Sequence, residues 1–195
     1  MGTYPDRPRG SAMKVELPGQ SKSFGAVNPG ECFAFSQHGV TSVAMKVEWL
    51  GAAGIAVLWS ASADWTAPHL IEPRTLAGSR VQSLPGAVFV ASADPMDIRV
   101  GANREEYAPG FLIKMPDGQM LIALRSLEGK HGTSVIDVDT GKSEGVTCDN
   151  LTFFTSWRIA SKVLDKYETV CSFPKSEMEP QAVRSALSAP RPPTR

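Results

Sequence analysis

The sequence lacks three features that would each indicate a class of function. Its 20 lysine and arginine residues balance its 20 aspartate and glutamate residues, so no net field attracts a polyanion. It has no uninterrupted run of about 18 apolar residues, the length that a transmembrane helix needs. Its first residues also contain no apolar stretch of signal-peptide length. The sequence therefore predicts neither a nucleic-acid-binding protein nor a membrane protein.

Cysteine is scarce, and the few cysteines are far apart. The sequence has three, Cys32, Cys148 and Cys171, and none of them belongs to a CxxC pair. An odd number of separated cysteines favours buried free thiols in a reducing compartment, because a free cysteine packs as a small apolar residue. One disulfide with a third, free thiol is the alternative. With no signal peptide in the sequence, we expect a cytoplasmic protein.

Motifs of the common catalytic and cofactor sites are also missing. The sequence has no G-x-S-x-G elbow, no G-x-x-x-x-G-K-[ST] phosphate loop and no G-x-G-x-x-G fingerprint. Its three histidines do not form an H-E-x-x-H pair. We therefore expect a protein that is not an enzyme and that needs no cofactor.

The composition divides the chain into three parts. Residues 1–12 are rich in glycine, proline and arginine and predict a flexible arm. Residues 174–195 close with a proline-rich stretch, which predicts a flexible tail. Between them, residues 13–173 are long enough for a single domain with its own core, and their apolar pattern is mostly that of β-strands.

The strongest structural signal lies in residues 108–126. Two apolar runs flank Asp117-Gly118, a dipeptide that favours a two-residue type I′ turn. A hairpin folded at that turn places Met115 opposite Met120, and the apolar residues on either side continue in the same register. We expect a β-hairpin with one buried face.

Further short segments with strand character surround this hairpin. They predict a mainly β fold, an antiparallel sandwich or distorted barrel of short hairpins. These segments are residues 31–37, 40–49, 54–60, 69–71, 87–91, 97–100 and 135–138.

One segment has the apolar spacing of a helix. In residues 156–167, apolar residues recur three and four positions apart, which predicts an α-helix packed on the sheet. The stripe consists of Trp157, Ala160, Val163, Leu164 and Tyr167.

Two segments show a faint internal similarity. Pro29-Gly30, a strand and a Gly39 turn correspond to Pro109-Gly110, a strand and a Gly118 turn. Residues 56–64 also resemble residues 87–94. A duplication explains this similarity, and so do two independent hairpins with the same turn chemistry.

Four residues are candidates for binding. Trp65 lies in a polar loop, where a large aromatic side chain either packs back onto the core or binds a partner. The histidines His38, His69 and His131 are scattered in the sequence, and two of them lie beside glycines. We predict a binding site among these four residues, with exposed turn histidines as the alternative.

An acidic loop offers a weaker alternative site. Asp137 and Asp139 place carboxylates at alternate positions, with Glu144 downstream, as calcium loops do. The loop lacks the bidentate glutamate that such a loop carries at its twelfth position, so a weak surface metal site is all that the pattern supports.

Two hypotheses for function remain. The first is a non-catalytic binding or assembly subunit, for example of a phage-like particle, which contacts protein partners or other copies of itself through its termini. The second is a small ligand-binding or hydrolytic β-barrel protein whose site is built from the scattered histidines and aspartates. The second hypothesis predicts a pocket lined by at least two of those residues.

Overall fold

We describe residues 20–101, 108–126, 132–146, 150–163 and 166–174 of a computed structural model of the chain. They form fourteen strands in two sheets, with short 3-10 turns at Phe24–Ala26, Pro73–Leu76 and Pro95–Asp97. The predicted mainly β, antiparallel fold is confirmed. The strands are β1 (Ser21–Ser23), β2 (Cys32–Gln37), β3 (Val40–Trp49), β4 (Ala52–Ser60), β5 (His69–Ile71), β6 (Arg80–Ser83), β7 (Val88–Ala91), β8 (Ile98–Gly101), β9 (Leu112–Lys114), β10 (Met120–Arg125), β11 (Thr133–Asp137), β12 (Leu151–Phe154), β13 (Trp157–Val163) and β14 (Lys166–Phe173).

The arm over residues 1–12 lies outside the described residues, and so does the tail beyond Pro174. The flexibility of both therefore stays a prediction.

The larger sheet contains eleven strands in the order β1-β6-β2-β3-β4-β5-β10-β9-β12-β8, with β11 also paired to β10. Its strand pairs are antiparallel except for β5 with β10, which is a single parallel pair between His69 and Arg125. The described strands do not close into a barrel, because the outer strands β1 and β8 do not pair with each other.

The smaller sheet, in the order β14-β13-β7, covers one face of the larger one. Trp157, Ile159 and Cys171 of this sheet belong to the same buried cluster as Met45 of the larger sheet. The indole Nε1–H of Trp157 donates to the carbonyl oxygen of Gly110 at 2.6 Å. Two sheets that bury their facing sides in this way form a sandwich.

The larger sheet is itself built from two repeats with the same strand order. We call β1 to β4 with β6 the first repeat, and β8 to β12 the second repeat. In the first repeat β1 pairs with β6, β6 pairs with β2, and β2, β3 and β4 form a meander. In the second repeat β8 pairs with β12, β12 pairs with β9, and β9, β10 and β11 form a meander. The order β1-β6-β2-β3-β4 therefore corresponds to β8-β12-β9-β10-β11.

Residues at equivalent ladder positions are buried alike. Phe33 pairs with Ala44 and Ser83, and its equivalent Ile113 pairs with Leu121 and Phe153. One set of equivalent residues lies in the core under the smaller sheet: Cys32 with Leu112, Met45 with Ile122, Val47 with Leu124 and Ala56 with Ile136. The other set lies in two matching clusters on the opposite face: Phe33 with Ile113, Ala44 with Leu121, Ile55 with Val135 and Val81 with Leu151.

The similarity around Gly30 and Gly110 belongs to this repeat. Both glycines follow a proline and have positive φ, 82° and 102°. The resemblance between residues 56–64 and 87–94 does not belong to it, because β4 and β7 lie in different sheets. The repeated strand order extends well beyond the two hairpins, which favours the duplication.

The hairpin of β9 and β10 forms, but its predicted register is wrong by one residue. Gly118 N donates to Met115 O at 3.0 Å, and Met115 N donates to Gln119 O at 2.9 Å. The loop therefore has three residues and begins at Pro116, whose fixed φ suits the first central position of a type I turn. Among the loop residues only Gly118 has positive φ, at 95°, whereas a type I′ turn needs two such residues.

Because of this shift, the residue partners across the hairpin differ from the predicted ones. Ile113 pairs with Leu121, and Leu112 pairs with Ile122. All four side chains are buried, because one face packs under the smaller sheet and the other packs in the opposite cluster. The prediction of a single buried face is therefore also wrong.

The helix predicted over residues 156–167 is wrong, because residues 157–163 form β13 and residues 166–167 begin β14, the two strands of one hairpin. Trp157 and Ile159 are buried, and Arg158 between them is exposed, which is the alternation of a strand. Ala160, which by alternation belongs to the same face as Arg158, is buried as well. Trp157 and Ala160 are therefore two buried apolar residues three positions apart, a spacing that imitates a helix.

Candidate functional site

A pocket of about 420 Å³ brings together three of the four predicted binding residues. His38, Trp65 and His69 line it, although they are up to 31 positions apart in the sequence. We call it the His38–His69 pocket. It lies between the end of the β2–β3 hairpin and the segment from β4 to β6. Its other lining residues are Phe35, Gln37, Val40, Ser42, Val57, Ser60, Ser62, Asp64, Ile71 and Thr75.

Trp65 joins the pocket to the core of the sandwich. Its ring meets Phe173 edge to face at 6.2 Å, and Phe173 stacks on Trp157 at 5.6 Å. Trp65 therefore packs back onto the core and lines the pocket as well. Strand β14 supplies Phe173, so the smaller sheet supports one wall of the pocket.

The indole nitrogen of Trp65 is an unusual donor. Nε1 is buried and has no hydrogen-bond acceptor among the described residues. A buried donor without an acceptor costs about 1–3 kcal/mol. An acceptor supplied from the pocket after a small movement of the indole would therefore be stabilising.

Two buried serines form a polar pair in the pocket. Ser42 and Ser60 hydrogen-bond through their hydroxyls at 3.0 Å, and Ser60 Oγ accepts from Ser62 N at 3.2 Å. Both serines are about 94% buried. They face each other across β3 and β4, beside the apolar side chains of Phe35 and Val57. The pocket therefore combines hydroxyl groups with an apolar wall.

The two histidines have different surroundings. His69 Nδ1 lies 3.1 Å from the carbonyl oxygen of Ala67, so Nδ1–H donates to it. In the neutral ring this leaves Nε2 as an acceptor. His38 is exposed at the tip of the β2–β3 hairpin, where it has a φ of 50°. Histidine is one of the few residues that tolerate this left-handed conformation.

Nine of the thirteen lining residues of the pocket belong to segments in which the two repeats differ. In the second repeat the β9–β10 hairpin ends at the pair Met115–Gln119, where its loop begins. The equivalent pair in the first repeat is Phe35–Ser42. The first repeat continues for two further residue pairs and carries Gln37, His38 and Val40 beyond that point.

A second difference follows the fourth strand of each repeat. In the first repeat residues 61–79 join β4 to β6, and in the second the shorter segment 138–150 joins β11 to β12. The longer segment carries Ser62, Asp64, Trp65, His69, Ile71 and Thr75 of the pocket.

In the second repeat, a hydrogen-bonded pair occupies the equivalent position. Gln119 stands where the first repeat has Ser42, and Asp137 stands where it has Val57. Gln119 Nε2 donates to Asp137 Oδ2 at 2.6 Å. The two polar side chains bond to each other, whereas Ser42 and Val57 make no such bond with each other and line a pocket.

The side chain of Asp137 stabilises the turn of the acidic loop. Its Oδ1 accepts from the backbone N–H groups of Asp139 and Thr140, both at 2.8 Å. Burial alone would raise the pKa of Asp137, but hydrogen bonds from Thr140, Gln119 and Asp139 lower it below its usual value. The carboxylate is thus ionised and already engaged with these donors.

The other carboxylates of the loop, Asp139 and Glu144, are exposed. Within the described ranges, no group of three or more histidine, cysteine, aspartate or glutamate side chains could hold a metal ion. The metal site at Asp137, Asp139 and Glu144 gains no support from this geometry. His131 lies outside the described residues.

Sequence reasoning missed the serine pair and the wall formed by Phe35 and Val57. The available signal was weak: Ser42 and Ser60 are polar residues inside apolar strands. Their pairing across β3 and β4 depends on a ladder irregularity between Val43 and Ala44, which the sequence does not reveal.

No helix in the described part of the chain is long and apolar enough to cross a membrane. In comparisons with models of known protein families, with curated proteins and with solved structures, the chain has no match.

Proposed function

We propose that this chain is a non-catalytic binding protein that holds a small ligand in the His38–His69 pocket. One observation carries the proposal: nine of the thirteen residues that line the pocket belong to segments by which the first repeat exceeds the second. The common strands are explained by the core they form. The additional segments supply two of its buried apolar side chains, Leu70 and Leu76, and loops on a rigid scaffold are where binding residues concentrate.

Binding is favoured over catalysis by the surroundings of His69. The histidine of a Ser-His-Asp triad is oriented by a carboxylate, whereas His69 is oriented by the backbone carbonyl of Ala67. The volume of the pocket lies in the range that small-molecule sites occupy. A cytoplasmic location remains part of the proposal, supported by the buried free thiols of Cys32 and Cys171.

The test uses the full chain labelled with ¹⁵N at its tryptophan indoles. A mixture of small polar and aromatic compounds is added, and the indole signals are recorded by NMR. We expect compounds that shift the Trp65 signal to bind at least tenfold more weakly to W65F and to H38N, with the affinity of every variant measured by isothermal titration calorimetry. Asparagine tolerates the backbone conformation of His38 and lacks the imidazole, so H38N preserves the turn.

The matched control is W49F, since Trp49 does not line this pocket. This variant should bind the same compounds as the unmodified chain. If no compound shifts the Trp65 signal, or if W65F and W49F bind equally well, the proposal is wrong.

A second candidate function is assembly through protein–protein contacts, and the surface gives it an observation of its own. Met96 is 86% exposed in the turn before the outer strand β8, Val100 is 76% exposed in β8, and Leu50 is 77% exposed at the β3–β4 turn. The outer side of β8 has no strand partner among the described residues. An exposed edge strand with apolar side chains is able to pair with another chain.

Light scattering over a range of protein concentrations tests this second candidate. We expect an oligomer that dissociates in V100K, because a charge on an edge strand opposes pairing. The exposed Lys162→Ala on β13 is the control. A monomer at all concentrations would argue against self-assembly.

A further inference from the structure

The charge of the His38–His69 pocket limits the class of its ligand, if the proposed function is right. No lysine or arginine is among its lining residues, and Asp64 is the one carboxylate. Asp64 is exposed and lies in a short turn, where its backbone N–H donates to Ser62 Oγ at 3.3 Å. The lining therefore has no positive charge that could bind an anion. For a cation it has only the carboxylate of Asp64, which is exposed to solvent.

The polar groups of the pocket are mostly neutral, and most of them can both donate and accept hydrogen bonds. The hydroxyls of Ser42, Ser60, Ser62 and Thr75 can each donate one hydrogen bond and accept others, and Gln37 offers both kinds of group. A ligand hydroxyl likewise donates and accepts. A set of hydroxyls therefore matches a polyhydroxylated molecule without burying a charge.

A ring nitrogen of His69 and the indole nitrogen of Trp65 can form additional hydrogen bonds. His69 Nε2 is left as an acceptor by the bond from Nδ1–H to Ala67 O, and Trp65 Nε1 is a donor without an acceptor among the described residues. One accepts and the other donates, so a ligand with several hydroxyls is able to serve both.

The remaining surface of the pocket is apolar. Phe35 and Trp65 contribute aromatic rings, and Val57 and Ile71 contribute aliphatic side chains. A pyranose ring has a face of C–H groups that packs on such a surface, and hydroxyls around its rim. Charged ligands and simple hydrocarbons each match only one part of this lining.

We propose that the His38–His69 pocket binds a neutral sugar ring, either as a free monosaccharide or as the end of a glycan. Ser42 and Ser60 recognise hydroxyls of the ring, and Trp65 packs against its C–H face. Because the second repeat has Gln119 and Asp137 at the positions of Ser42 and Val57, its equivalent place does not take the same ligand.

The experiment titrates the full chain with glucose, galactose, mannose, N-acetylglucosamine and a neutral trisaccharide, and follows the tryptophan indole signals. We expect the Trp65 signal to shift with at least one sugar, and the Trp49 signal to stay in place. Tighter binding of the trisaccharide than of any monosaccharide would identify a glycan end as the ligand, and equal affinities would identify the free sugar.

Variants then locate the contact. S42A removes one hydroxyl from the pocket and should weaken sugar binding at least fivefold. S42Q introduces the residue of the second repeat, and we expect it to abolish binding. The control is S134A on β11, outside the pocket, which should bind as the unmodified chain does. Circular dichroism of each variant verifies that it is folded, and a misfolded S42Q leaves S42A as the deciding variant.

Adenosine, inorganic phosphate and tetramethylammonium are titrated in parallel. If one of them shifts the Trp65 signal and no sugar does, the sugar proposal is wrong and the pocket remains a binding site for another ligand class. If neither these compounds nor the broader mixture used above shifts that signal, both proposals fail. An unchanged affinity in S42A would also overturn the assignment of Ser42.

Discussion

Gly30 and Gly141 lie back to back, so closely that a Cβ atom on either would collide with the backbone of the other turn. Gly30 N donates to Lys46 O at 2.8 Å, and Gly141 O accepts from Glu48 N at 2.7 Å. Both turns are therefore fixed to the same stretch of β3. This contact joins the first repeat, which contains Gly30, to the second, which contains Gly141.

The contact between the two glycines predicts a large effect of a single methyl group. G141A places a Cβ 2.8 Å from Lys46 O and against Gly30 N, at a φ of 70°. We expect a loss of about 4 kcal/mol in the free energy of unfolding, measured in urea. The control is G39A, which has a φ of 80° but no atom within 4 Å of its Cβ, and should lose about 1 kcal/mol. Equal losses would show that backbone conformation alone, and not the contact, matters.

Leu50 is a bulky residue in an unfavourable backbone conformation. It has a φ of 51° and precedes Gly51, whose φ is 78°, so the β3–β4 turn has the two positive φ angles of a type I′ turn. Asparagine is favoured at this position, and Leu50 is 77% exposed. We expect L50N to raise the free energy of unfolding by about 1 kcal/mol. L50A keeps the backbone penalty and should not stabilise; a gain in L50A as large as in L50N would contradict this explanation.

The bound carboxylate of Asp137 predicts a dependence of stability on pH. The hydrogen bonds lower its pKa in the folded state, so the stability it contributes is complete above the usual aspartate pKa of about 3.9. That contribution is lost as the pH falls through the lower folded-state value. We expect D137N to be about 2 kcal/mol less stable than the unmodified chain at pH 7, and the difference to shrink below pH 4.

Urea unfolding at several pH values between 2 and 7 measures this difference. The exposed Asp139 provides the control, and D139N should stay within about 0.5 kcal/mol of the unmodified chain at pH 7. A difference for D137N that is the same at every pH would contradict the role of its charge.

Cys32 should be unreactive in the folded protein. Burial, with a smaller effect of the nearby charge of Glu31, raises the pKa of its thiol to about 12. Only about 10⁻⁴ of such a thiol is ionised at pH 8, and the thiolate is the reactive form. We expect iodoacetamide to modify Cys32 only after unfolding in guanidinium, as measured by mass spectrometry of its peptide. Modification under native conditions at the unfolded rate would contradict its placement in the core.

The β-strand pattern was predictable because most strands alternate or are short and apolar. Segments 40–49 and 54–60 became β3 and β4 for this reason, and the brief strand His69–Ile71 was predicted with its observed bounds. The errors arose where one residue changes the geometry. Pro116 turned a two-residue loop into a three-residue loop, and Ala160, an apolar residue on the face opposite Trp157, gave a strand the apolar spacing of a helix.

The sequence indicated several residues of the candidate site, but it did not indicate that they lie together in one pocket. Trp65, His38 and His69 were notable because a tryptophan in a polar loop and turn histidines have weak structural reasons to be there. Their meeting in one pocket depends on the pairing of β4 with β5 and on the extended β2–β3 hairpin. Such pairings join residues far apart in the chain, and local sequence patterns carry no information about them.

The shared core has a consequence for synthesis on the ribosome. The first repeat emerges first, with the apolar side chains of Cys32, Met45 and Val47 on a face that later strands must cover. Leu112 and Ile122 of the second repeat arrive next, and Cys171 of the smaller sheet follows only near the end of the described chain. The nascent chain therefore keeps an uncovered apolar face during most of its translation. It depends on rapid completion, or on a chaperone that shields this face, to avoid aggregation.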